Sequence, residues 1–279
     1  MGTTQHHNLK IERYNGNLTL VSDIAQLIER NYSELFHSVI VHGSVATNEV
    51  IAYSDFDGLL IVKDRFVASK KLERFKIESM KLILKFDPLQ HHGWFQIKES
   101  QLLDYPEYYL PTTILENSKA LFPISKDIEL KIEIKQKPDY KIGLNNMVNQ
   151  LENKIATKWR PKSIFELKSL LSQIMLVPCL YYSAKNNEGI FKRESFDAVK
   201  GVFTPDEWMV METASQIRND WNPHFNSFQR KLLELPNRLI RKVVLKFMPI
   251  NIPKKHLELV NDNFYNSLLL LLKKIKTDI

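Results

Sequence analysis

Only one cysteine, Cys179, occurs in the chain. That excludes an intramolecular disulfide framework and suits a reducing compartment. Long apolar runs are missing too. The longest patches, Ile174 to Leu180 and Leu268 to Leu272, fall far short of the roughly 20 residues a membrane span requires. Met1 to Lys10 is polar and lacks the apolar core of a secretory signal. Internal repeats and low-complexity tracts are absent as well. A cytoplasmic protein with no membrane partner is therefore expected.

What is present is ordinary globular composition, with 44% hydrophobic and 25% charged residues in 279. At roughly 150 residues per domain, that length predicts two domains. The formal charge of +7 is unevenly spread. Met1 to Lys137 holds 17 Lys and Arg against 18 Asp and Glu, or −1, and the remainder holds 22 against 14, or +8. Such asymmetry fits two domains, the second meeting an anionic partner or simply presenting a basic surface to water.

Ser22-Asp23 followed by Ile24, Leu27, Ile28 and Leu35 predicts a capped amphipathic helix to about Phe36. Ser38-Val39-Ile40-Val41 reads as a buried strand that stops at Gly43-Ser44, with a short helix through Glu49. Asp55 to Val62 reads as a second strand. From Asp64 to Phe86, Leu72, Phe75, Met80 and Ile83 recur at helical spacing, although Met80, Leu82 and Leu84 also alternate as in a strand. Asp87-Pro88 ends that element. Gly93 to Ile97 and Ala120 to Phe122 offer two more strands, and the Lys- and Glu-rich stretch 128–138 reads as the linker. Beyond it, helices are predicted at about 139–157, 163–186, 194–202, 205–220, 225–248 and 254–276, with Pro178 kinking or interrupting the second. Thr204-Pro205-Asp206-Glu207 is a strong helix-start signal.

The most informative string is His42-Gly43-Ser44, ten residues, then Asp55-Phe56-Asp57. On a strand, residues i and i+2 point to one side, so Asp55 and Asp57 converge while Phe56 faces the core. Two close carboxylates repel unless a cation sits between them. Mg²⁺ prefers such oxygens and also bridges the oxygens of a triphosphate. Gly43 lets backbone approach phosphate, and Ser44 offers a hydroxyl and an N–H.

This string resembles the signature of the polymerase-β-like nucleotidyltransferase superfamily. The looser pattern that follows resembles the helical domain of its small-molecule and antibiotic-modifying members. That pattern is Pro178-x-Leu180-Tyr181-Tyr182, Phe191 to Phe196, Trp208 and Ile217-Arg218-x-x-Trp221. The resemblance implies an α/β catalytic domain over 1–130, with a small mixed sheet flanked by helices. An all-α substrate- and nucleotide-binding domain over 131–279 would follow.

It further implies Mg²⁺-dependent transfer of a nucleoside monophosphate from a nucleoside triphosphate such as ATP to a hydroxyl of a small-molecule acceptor. Asp55 and Asp57 would hold the metal, and Gly43 and Ser44 the triphosphate. A third acid normally completes such a site. Asp87 is the first choice here, then His91 or His92 as a substituted ligand or a hydrogen-bonded pair, with Glu99 farther along. Without a third acid, the chain would be a degenerate nucleotide-binding member. Lys192 and Arg193 precede a helix and suit a triphosphate, or stand solvated beside Glu194. Tyr181, Tyr182, Trp208 and Trp221 read as packing residues.

Nucleic acid is a less favoured partner, and the oligomeric state is left open. Arg218-Asn219, four residues, then His224 also resembles the Arg-polar-spacer-His pattern of HEPN ribonucleases. In such an enzyme Arg would stabilise a phosphorane and His would move a proton.

Overall fold

The computed structural model describes residues 4–279. One unit, Met1–Pro138 with Asn226–Val244, is built on two sheets. Strand β1 (Gln5–Ile11) belongs to a two-stranded ribbon. Four further strands, β2 (Phe36–His42), β3 (Asp57–Val62), β4 (Phe95–Lys98) and β5 (Lys119–Phe122), form a mixed sheet in the order β4-β3-β2-β5. Within it β3 and β4 are parallel, and β2 is antiparallel to both β3 and β5. Strand β6 (Ile128–Ile134) pairs antiparallel with β1, from Gln5 opposite Ile134 to Ile11 opposite Ile128. Tyr14 and Ala120 backbone bonds tie the end of this ribbon to β5.

The mixed sheet is covered on both faces, which explains why β2 and β3 read as continuous apolar runs. Val39, Val41, Leu60 and Val62 pack against Ile24 and Ile28 of α1 (Thr19–Asn31) and Leu72, Phe75 and Ile83 of α3 (Lys70–Phe86). Ile40, Leu59 and Ile61 face the other way, onto Ile128, Leu130 and Ile132 of the ribbon. A short α2 (Gly43–Ala46) leaves β2, and α4 (Thr112–Glu116) precedes β5.

Several expectations are corrected. Helix α1 begins at Thr19 rather than after a Ser22 cap. The alternating reading of residues 79–86 gives way to helix, because α3 buries Leu72, Phe75, Ser79 and Ile83 on one stripe. The presumed linker is strand β6, whose Ile128, Leu130, Ile132 and Ile134 alternate inward. Its partner β1 was not expected at all.

The other unit, Asp139–Phe225 with Leu245–Ile279, is helical. It comprises α5 (Tyr140–Ala156), α6 (Ile164–Ile174), α7 (Val177–Asn186), α8 (Lys192–Lys200) and α9 (Pro205–Asn219), then α12 (Lys254–Leu259) and α13 (Asp262–Asp278). Between these runs, α10 (Ser227–Leu233) and most of α11 (Arg238–Phe247) belong to the first unit. The predicted helices 225–248 and 254–276 are each broken in two, the first at Pro236 and the second at Val260-Asn261.

The predicted helix around Pro178 is interrupted rather than kinked. The break falls at Met175-Leu176, which leaves proline in the first turn of α7, where its missing N–H costs nothing. The stretch Ile164–Asn186 is apolar enough overall to pass for a membrane span, although its separate patches are short. More than half of its most apolar window is buried within the protein. The α9 start signal holds: Thr204 accepts from the Glu207 N–H while the Glu207 carboxylate accepts from the Thr204 N–H.

Candidate active site

Strand β2 ends at His42, directly opposite Asp57 at the start of β3. Gly43 then turns the chain with φ +65°, a conformation natural only to glycine. A methyl group on Gly43 would sit 3.0 Å from Asp57 Oδ2. The left-handed turn and this close approach therefore require glycine independently. Ser44, half-buried, follows in the single turn of α2.

Asp55 is not on the strand, which begins at Asp57. Burial still alternates across the motif: Asp55 and Asp57 are half-buried, while Phe56 is 2% exposed in the helix-side core. Two neighbours make the approach to β3 rigid. Gly58 has no side chain to keep Trp94 away, and the Trp94 indole donates to Ser79 Oγ at 2.9 Å. The buried Gln90 amide brackets Phe56: Phe56 N–H donates to Oε1 at 2.9 Å, and Nε2 donates to the Phe56 carbonyl at 2.8 Å. Nε2 also reaches the His92 carbonyl at 3.0 Å. A side chain 34 residues away thus grips the one residue between the two aspartates. Arg241 in turn donates to the Pro88 and Gln90 carbonyls, at 3.0 and 3.1 Å.

Asp87 is placed within this brace. It closes α3, is 7% exposed, and its Oδ1 accepts from the Leu89 N–H at 3.0 Å. It also faces Arg241, whose pKa burial lowers and Asp87 raises. Among the described residues, no group of three or more His, Cys, Asp or Glu is arranged to hold a metal ion. Glu99 opens a 3₁₀ turn after β4.

His92 also comes to the pair, with Nε2 3.1 Å from Asp57 Oδ1. His42 lies beneath, 6% exposed, its Nε2 without a hydrogen-bond partner. Burial pushes the His42 imidazole below its ordinary range; Asp57 pulls the other way, and His92 adds to the lowering. The carboxylates are hard oxygen donors that fit Mg²⁺, which commonly takes one or two protein carboxylates and completes its shell with water and phosphate. Sequence reasoning missed Gln90 and Arg241, since nothing local marks either one.

Lys192 and Arg193 open α8 in the helical unit, at its first two positions. Arg218 lies in the last turn of α9 with its Nε buried. His224 is exposed, its Nδ1 3.1 Å from the Asn222 carbonyl. It lines a cavity of about 270 Å³ with Asn251 and Lys255, and Arg218 does not line that cavity. Tyr181, Trp208 and Trp221 are buried, as packing residues should be.

No family model matches the chain, and no curated protein matches it. Among solved structures, it is similar to spectinomycin adenyltransferase AAD(9) from Enterococcus faecialis, crystallised with ATP and spectinomycin. That alignment has 14% identity and a TM-score of 0.40, covering 80% of this chain and 99% of the other.

Proposed function

We propose that this chain is a nucleotidyltransferase that moves a nucleoside monophosphate from a nucleoside triphosphate, ATP among them, to a hydroxyl of a small molecule. One observation carries the reading: a left-handed glycine corner lies against the Asp57 carboxylate, and Asp55 stands two residues before it across a buried Phe56. Asp55 and Asp57 would hold Mg²⁺, which when bound would supply Lewis-acid stabilisation of phosphate charge.

The remaining roles belong to the chain. Gly43 admits the phosphates against backbone, and Ser44 donates its hydroxyl and N–H. Gln90 fixes the spacing of the aspartates. His92, its Nε2 3.1 Å from Asp57 Oδ1, would orient that carboxylate. Lys192 and Arg193 would serve the triphosphate.

A second reading is nucleotide binding without turnover, since among the described residues no group of three or more His, Cys, Asp or Glu is arranged to hold a metal ion. Calorimetric titration with nucleoside triphosphates, with and without Mg²⁺, tests the common ground. The Asp55→Asn/Asp57→Asn double variant should lose the Mg²⁺-dependent part of binding. Unchanged binding in that variant would overturn both readings. Pyrophosphate release against a panel of aminoglycosides, lincosamides, sugars and RNAs then separates transfer from binding.

A further inference from the structure

Large apolar side chains are scarce on a well-packed surface unless something covers them. Along α11 and the turn before it they form a column. Leu235, Leu239, Val243 and Phe247 recur every four residues and are 40%, 74%, 55% and 68% exposed. Four-residue spacing keeps Leu239, Val243 and Phe247 on one side of the helix, and Leu235 lies in the turn before it.

Arg238, Lys242 and Lys246, also spaced by four and all exposed, form a parallel column one residue earlier. Val244 points the opposite way into the protein, and Arg241 is turned inward to brace the Gln90 loop. The outward face is therefore half apolar and half cationic. From Leu235 to Leu257 there are six Lys and Arg and no Asp or Glu, so no acid of this segment neutralises the column. Phe228, 59% exposed on α10, adds a further apolar group to the same stretch of chain.

We propose that the exposed face of α11 is a peripheral membrane-binding surface that lies in the headgroup region of an anionic lipid bilayer. Charge complementarity selects this occupant. The bilayer offers diffuse negative charge to the Arg238, Lys242 and Lys246 column, and acyl chains to Leu239, Val243 and Phe247. The long Lys stems can cover apolar surface while their ammonium groups remain at the headgroups. A nucleic acid would use the cations but leave the apolar column in water. Apolar run length concerns helices that cross a bilayer and does not bear on one lying flat.

Vesicle co-sedimentation of the full chain tests this, with phosphatidylcholine alone and with added phosphatidylglycerol. The chain should sediment with the anionic vesicles and not with the neutral ones. Lys242→Glu/Lys246→Glu should weaken partitioning by more than roughly tenfold, as should raised salt. Leu239→Ser/Val243→Ser should weaken it comparably with its charge intact. All four sites are exposed, and melting curves matching wild type will show that the variants fold.

Failure to bind anionic vesicles overturns the proposal, as does equal binding to neutral ones. So does full binding by the serine variant, since cations alone would then explain it. A chain that dimerises in light scattering without vesicles, and becomes monomeric with the serine changes, would assign the face to a second copy and overturn it as well.

Discussion

Replacing Gln90 tests whether the two aspartates depend on a brace outside their own segment. Gln90→Leu keeps the volume and removes both bonds to the Phe56 backbone, whose N–H and carbonyl meet it at 2.9 and 2.8 Å in a buried setting. An unsatisfied buried polar group costs about 1–3 kcal/mol. Two such groups, with some relaxation, give an expected loss of about 2–4 kcal/mol in urea unfolding followed by circular dichroism.

Gln90→Glu is the sharper variant. Its carboxylate can still accept from the Phe56 N–H, but its other oxygen would face the carbonyls of Phe56 and His92 without a proton to offer. It should be less stable than wild type at neutral pH and recover on acidification, when the protonated acid can donate. Both variants should weaken Mg²⁺-dependent nucleotide binding in calorimetry. If Gln90→Leu costs less than about 0.5 kcal/mol, the bonds carry no load. If it destabilises the fold while nucleotide affinity stays at the wild-type value, the brace does not set the aspartates. Either result refutes the reasoning.

Gly43→Ala combines a left-handed backbone with a methyl 3.0 Å from Asp57 Oδ2. A loss of about 1–2 kcal/mol in thermal or urea unfolding is expected from the backbone alone, with a larger loss of nucleotide affinity because Asp57 must move. Glu107 is buried, and desolvation raises its pKa to about 7 despite bonds from the Thr112 N–H and hydroxyl. Because the folded value lies above the unfolded 4.5, its contribution is complete below pH 4.5 and is lost as pH rises through about 7. Glu107→Gln should flatten that slope, by at most about 3 kcal/mol between the two limits, in urea unfolding measured across the range. Thr204→Ala removes one half of the reciprocal cap on α9 and should cost about 1 kcal/mol, which a shift in denaturation midpoint will register.

Local periodicity carried much of the fold. The runs Val39 to Val41 and Leu59 to Val62 are apolar throughout because both sheet faces are covered, and the start of α9 is written in four consecutive residues. The alternation of Ile128 to Ile134 was equally visible, but its charged partners made it look like a linker. Its pairing with Gln5 to Ile11 bridges more than a hundred residues and has no local trace. Breaks inside the long helices were harder to place, since Pro178 and Pro236 permit a boundary nearby without choosing its residue.

By itself, the sequence determined which residues could carry chemistry: a glycine-serine corner and two acids two residues apart, both consequences of short-range geometry. Tertiary structure alone decided what surrounds them. It brought the Gln90 amide to Phe56, turned His92 toward Asp57, and sent Arg241 to fasten the loop between. Those partners lie tens to more than a hundred residues away. Hydrogen bonds over such separations follow from how the layers pack, and the periodicity of any one segment contains no record of them.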